Sequence, residues 1–352
     1  MTASGKRSNA PVFVVGSPRS GTTLLYDMLL SAGGFAVYLG ESNIFNLLAP
    51  RFGDLSVRKN REQMLKVWLG SRLFRVTGLE REQIEDKILS DCRNAGDFLR
   101  IFMDETARRQ NAARWAGNAP EEMLHLALIK QTIPEALVIH VIRDGRDVAV
   151  SLSQKHYIRP FPWKERETPE GCALYWEWMV RRGRALGRNL GPDYTEVRFE
   201  QLVTEPRGVL SHLSSFLEHG LDYDRIRRTA LGSVGKPNTS FRKESSGEFN
   251  PVGRWKKQLT ESQLTQIERL VGPTLEELGY SVTSTERAGS AFALAWTRQV
   301  YRSFFDLKLW SKSSSLLRAL RPALTSHEVD EVSIADEPAA AEFHRASAQV
   351  RS

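Results

Sequence analysis

One stretch near the amino terminus constrains the fold more than any other. Residues Pro11–Gly16 read PVFVVG, a β-branched apolar run ending in glycine, and Thr22–Ser31 read TTLLYDMLLS. The five residues between them are Ser17-Pro18-Arg19-Ser20-Gly21. An apolar run without polar alternation predicts a strand buried on both faces, as in a parallel sheet. The second run predicts a helix, so the order is strand, glycine loop, helix. Such a loop turns tightly, points N–H groups inward and ends on a helix N-terminus, which together suit a phosphate.

The rest of the chain repeats this alternation. Ala136–Ile142 (ALVIHVI) predicts a second buried strand, leading through Arg143-Asp144-Gly145-Arg146-Asp147 into a helix past Ser151. Short strands are expected near Arg114–Gly117 and at Tyr194–Phe199. Helices are expected near Pro120, over Pro169–Leu190, and around 206–218, 222–231 and 260–279. Asp97 is expected to cap a helix running through Phe98 and Glu105. Alternating strands and helices predict an α/β fold with a parallel sheet and right-handed crossovers.

Charge is less informative. The chain has 352 residues with 49 Lys+Arg against 42 Asp+Glu, so 49 − 42 = +7. That excess suits an anionic ligand without naming one. The basic residues are mixed with acids and follow no DNA- or RNA-binding motif, which disfavours a nucleic-acid partner. Cys92 and Cys172 lie far apart in no metal-ligand spacing, so two reduced thiols in a cytoplasmic protein are expected. No apolar run reaches membrane-spanning length.

Two anion sites follow from position. In the first loop Arg19 supplies a full charge, with Ser20, Gly21, Thr22 and Thr23 at the helix entrance. The position of the lysine in a GxxxxGK[ST] loop is Thr22 here, which disfavours an ordinary nucleotide triphosphatase. Arg143 ends the second strand and Ser151 follows eight residues on (151 − 143 = 8), about two turns into the next helix. Both fall at the carboxyl edge of the sheet, where open parallel sheets bind ligands. Two such sites fit a nucleotide with phosphates at both ends.

With these residues in place, the chain resembles the sulfotransferases that use 3′-phosphoadenosine 5′-phosphosulfate (PAPS). Pro18-Arg19-Ser20-Gly21-Thr22-Thr23 matches the family's 5′-phosphosulfate loop. Arg143 and Ser151 match its 3′-phosphate pair. Arg198-Phe199-Glu200-Gln201-Leu202 and Gly253-Arg254-Trp255-Lys256 match two later elements, over roughly residues 11–282. The resemblance implies a P-loop-like three-layer fold with a central parallel sheet flanked by helices. It implies sulfuryl transfer from PAPS to a hydroxyl acceptor with release of PAP and no metal. Nucleotide contacts are implied at Arg19 through Thr23, Arg143, Ser151, Phe199, Ser240 and Arg254. Gly40-Glu41 resembles the Gly-Glu pair of the tyrosylprotein branch, which implies Glu41 as general base beside Arg19. The competing reading makes Glu41 a first-turn acid of a helix over Ile44–Leu48.

Three departures stand out. Asn118-Ala119-Pro120 replaces a Lys-x-Pro element, Leu24 replaces an adenine-stacking aromatic, and Phe199 replaces a tyrosine. A P-loop kinase or triphosphatase and a non-catalytic nucleotide-binding protein remain the rival functions. The acceptor, whether small molecule, sugar, lipid or peptide tyrosine, is expected to sit among residues 43–112 and 157–169. The expected organisation is a flexible terminus (1–10), a sulfotransferase domain (11–282), a helical extension (283–325) and a disordered tail (326–352). Residues 290–320 read as amphipathic helix, with packing on the domain favoured over attachment to a membrane surface.

Overall fold

The computed structural model describes residues 7–155, 158, 161, 167–235, 250–283 and 291–332. Five strands, β1 (Val12–Gly16), β2 (Phe35–Ala36), β3 (Arg114–Asn118), β4 (Leu137–Ile142) and β5 (Tyr194–Arg198), form one parallel sheet in the order β2-β3-β1-β4-β5. β1 is central, and the chain first builds toward β2 and β3, then crosses to β4 and β5. Ligands of open α/β sheets bind at the point where the strand order reverses.

Period-two geometry explains why β1 carries no polar residue. Phe13 and Val15 enter one core; Val12 and Val14 enter the other. β4 divides likewise, with Val138 and Ile142 on one side and Leu137, Ile139 and Val141 on the other. Both faces are covered by helices, giving the three-layer fold expected. α1 (Thr22–Ala32) follows the glycine loop, and α2 (Ala95–Arg109) packs beside β3. α3 (Gly145–Lys155) lies against α4 (Pro169–Arg188), which also contacts α5 (Glu261–Glu277) and α6 (Ala291–Ser313).

Several expectations shift. Asn94, not Asp97, caps α2; Asp97 is the third helical residue and completes a reciprocal capping box. The helix near Pro120 begins as a 3₁₀ turn over Pro120–His125 before becoming α-helical at Leu126–Thr132. β2 has only two residues, too few for a periodic signal. Ahead of β1, Arg7 donates to the Phe216 carbonyl at 2.8 Å and pairs with Asp193 at 2.9 Å. The tail expected to be disordered from 326 opens with a helix, Ser326–Val332. Val329 is buried there, and the Ser326 hydroxyl donates to the Val67 carbonyl at 2.7 Å.

Candidate active site

Strand register assembles the arginine-rich half of the site. Gly16 pairs with Val141 and Ile142 pairs with Arg198, so the first loop, Arg143 and Phe199 leave adjacent strand ends. Gly21 has φ 93°, in the left-handed region where glycine is strain-free. A Cβ there would also stand 2.2 Å from a Phe199 ring carbon, so two constraints demand glycine. Arg19 is left-handed as well (φ 72°), an uncommon conformation for a residue with a Cβ.

That conformation turns Arg19 across the sheet edge. Its Nε donates to Ser151 Oγ at 2.9 Å, joining the first loop to α3. Arg143 in turn donates to the Arg19 carbonyl at 3.0 Å and to the Pro251 carbonyl at 2.6 Å. The Arg143 guanidinium lies over the Phe199 ring, 4.5 Å from its centroid. Phe199 is buried and serves as the floor separating Arg143 from Gly21. Ser20 and Thr22 are buried, whereas Thr23 is exposed. Helix α1 has no side-chain cap and no acid in its first turn, so its dipole is uncompensated from within.

Burial lowers the pKa of Arg143 from its ordinary value. Asp147 and Glu200 oppose this, whereas Arg19 and Arg254 add to it. Three arginines from separate segments therefore crowd one place, an arrangement that an anion relieves. Arg254 is positioned by its neighbours: Asp147 accepts from the Gly253 and Trp255 amides, each at 2.9 Å. Arg146 sits 4.0 Å over the Trp255 ring and is held by Asp144 and Glu268. The acids of Arg143-Asp144-Gly145-Arg146-Asp147 thus orient the site rather than forming surface pairs. Ser240 and the Phe241–Lys243 run lie outside the described residues.

Glu41 occupies a different neighbourhood. It follows β2 in an irregular loop, and the helical turn Ile44–Leu48 starts after Asn43, with no side-chain cap and no acid in its first turn. The dipole reading of Glu41 is therefore not supported by its place. Its half-buried carboxyl faces Glu121 and Glu122; burial, then these two charges, push its pKa up to about 8. Glu122 is fully buried, accepts from Ser42 Oγ at 2.9 Å and from the backbone of Phe45, and burial pushes its pKa up to about 7.

Sequence reasoning missed Glu122, since acids after Pro120 read equally well as an exposed first turn. Asn118, in the slot of the absent lysine, is buried at the end of β3. His140 is a core residue, bonded to Tyr194 Oη at 2.7 Å and held neutral by burial, with its pKa lowered to about 4.

Glu121 links this acidic group to a pocket of about 110 Å³. Asn46 and Ile158 line it, one from each of the segments 43–112 and 157–169. His125, Tyr175, Trp178 and Phe305 were not anticipated there. Phe305 comes from α6, which packs its ring against Tyr175 and Trp178 at 5.3 and 5.4 Å. The chain's late helix is therefore a wall of this pocket. Trp163 lies outside the described residues, and Phe161 packs on Tyr301 and Phe304 of the same helix.

The chain as a whole is similar to several known proteins. Protein-tyrosine sulfotransferase A of Caenorhabditis elegans is 27% identical over 78% of this chain and 68% of its own length. A putative protein-tyrosine sulfotransferase of Caenorhabditis briggsae is 22% identical over 80% and 93%. Among solved structures, the sulfotransferase domain from the Synechococcus PCC 7002 olefin synthase superposes with a TM-score of 0.51 at 20% identity. That match covers 78% of this chain and 96% of the other, and shows the shared fold. The sulfotransferase domain from the curacin biosynthetic pathway gives 0.50 at 17% identity, over 78% and 99%. The pattern of the Sulfotransferase family matches residues 11–224, well over half of the chain, and the protein belongs to that family.

Proposed function

We propose that the protein transfers a sulfuryl group from PAPS to an acceptor hydroxyl, with Glu41 as general base. The observation that carries this reading is the Arg19–Ser151 bond. It fuses the two anion sites predicted separately into one cradle, as a nucleotide phosphorylated at both ends requires. The residues present fit such a ligand. Among the described residues, Ser20 Oγ and Arg143 Nε are buried polar atoms without a protein partner, and each is a donor. Cys92 and Cys172 are free and buried, which supports a cytoplasmic setting.

PAPS, as substrate, supplies the activated sulfuryl group. Arg19 and the first-loop amides face the 5′ end and stabilise charge growing on the leaving phosphate. Arg143 and Ser151 hold the 3′-phosphate, with Arg254 beside them. Glu41 takes the acceptor proton as the hydroxyl attacks in line. A carboxyl raised to about 8 is a strong base once ionised, so turnover should climb with pH toward 8 as Glu41 loses its proton. No metal step is needed in this scheme. The acceptor enters through the pocket that Glu121 joins to Glu41.

The test is thermal stabilisation by PAP against ATP, followed by an acceptor screen with PAPS. PAP should raise the melting temperature by mass action, and ATP should not. Stabilisation by ATP alone would replace this reading with a kinase or triphosphatase. Stabilisation by PAP with no turnover on any acceptor class would leave a non-catalytic binding protein.

A further inference from the structure

Glu122 holds the loop that carries Glu41. It sits in the 3₁₀ turn Pro120–His125, where the chain leaves β3, and is 0% exposed. Ser42, the residue after Glu41, donates to Glu122 Oε1 at 2.9 Å, and the Phe45 backbone donates to the same carboxyl. Bonds within the loop complete the hold. Asn43 is left-handed (φ 50°), and its Nδ2 donates to the Glu41 carbonyl at 3.3 Å. Asn46 Nδ2 donates in turn to Asn43 Oδ1 at 2.8 Å. Both ends of the segment 42–45 are therefore tied to one carboxyl, and the Glu41 backbone is fixed relative to it.

An uncharged amide oxygen could accept the same two bonds. Burying a carboxylate without a cation is costly. Among the described residues Glu122 has no ion-pair partner, and its Oε2 is buried without a hydrogen-bond partner. The nearby donors and cations attend Glu121 instead. Tyr175 of α4 donates to Glu121 at 3.3 Å, Lys312 of α6 approaches it at 3.8 Å, and His125 and Lys308 feel its charge. Facing Glu122 are Tyr38, from the segment after β2, and Glu41. Burial, then Glu121, then Glu122 keep the Glu41 proton on toward pH 8. Resting on Glu41 as the base, we propose that Glu122 is a positioning residue: it anchors the loop that carries the base and sets a second negative charge beside it.

The experiment needs neither PAPS nor an acceptor. Urea unfolding of the full-length protein and of Glu41→Gln is compared from about pH 5 to about pH 9, with native Glu122 and again with Glu122→Gln. Beside native Glu122, the stability gap between the two proteins should widen with pH until Glu41 loses its proton near pH 8. Beside Glu122→Gln, the gap should level off about one pH unit lower. A level-off at the same pH overturns the proposal. Should Glu122→Gln misfold, carbon-13 NMR of the wild-type Glu41 carboxyl replaces it. That signal should move in two steps, first as Glu122 ionises near pH 7 and then near pH 8. A single step overturns the proposal. For the anchor, Ser42→Ala removes one of the two bonds, so amide hydrogen exchange over residues 42–45 should rise at least about tenfold. Unchanged exchange denies Glu122 that part. Turnover that survives Glu41→Gln removes the base, and this role with it. An unshifted level-off beside an inactive Glu41→Gln enzyme removes Glu122 alone.

Discussion

Replacing Glu41 with glutamine should make the protein more stable and far less active. The carboxyl is held among Glu121 and Glu122 with its pKa raised from 4.5 to about 8. Between those pH values the unfolded chain has released the Glu41 proton while the folded chain retains it. The folded state then binds more protons, so stability falls as pH rises through this window. The difference, 8 − 4.5, corresponds to about 5 kcal/mol at full desolvation. Water reaching the half-buried group screens it, leaving about 2–5 kcal/mol. Glutamine cannot ionise, so Glu41→Gln should match the wild type near pH 5 and exceed it by that amount near pH 9. Glu122, raised to about 7, keeps its own decline between pH 4.5 and 7 in both proteins. Urea unfolding across this range measures the difference, and turnover with PAPS should fall about 10²–10⁴-fold. Two stability curves running parallel from pH 5 to pH 9 would refute the electrostatic reasoning. Undiminished turnover would remove Glu41 from the role of base.

Arg19→Ala should cost about 10²–10³ in turnover while barely moving the melting temperature. Arg19→Gly, which relieves the left-handed backbone (φ 72°), should melt higher than Arg19→Ala and be equally inactive; near-normal turnover in either removes the assigned role. Gly21→Ala drives a Cβ toward the Phe199 ring and should cost about 1–3 kcal/mol with loss of PAP-induced stabilisation; an unaltered response to PAP counts against the tight loop. Asp147→Asn weakens the hold on the Gly253 and Trp255 amides and removes a charge 3.7 Å from Arg143. Calorimetric titration should then show PAP binding at least about tenfold weaker, and equal affinity would deny Asp147 its positioning part.

Legibility in the sequence followed chain locality. The strand, loop and helix around Arg19 are contiguous, and apolar β-branched runs report burial on both faces directly. Arg143 and Ser151 were readable because both are tied to one strand end. Glu122 was not, because the sequence Pro120-Glu121-Glu122 does not say which carboxyl turns inward; packing of Ser42 and Phe45 against it decides that. The run Arg143-Asp144-Gly145-Arg146-Asp147 alone does not distinguish a positioning acid from a surface ion pair. The role of Asp144 and Asp147 emerges only when Glu268, Trp255 and Gly253, over 100 residues away, arrive beside them.

The acceptor side shows the same principle at longer range. Phe305 and Tyr175 meet across the pocket although 130 residues separate them (305 − 175), and neither belongs to a motif. An amphipathic pattern states that a helix has an apolar face, without naming what that face meets. In α6 the pattern is broader than one face needs: Phe305 is spent on the domain while Trp296 and Trp310 remain exposed. Packing on the domain accounts for the inner row, and through Phe305 it makes α6 a wall of the pocket as well as part of the core.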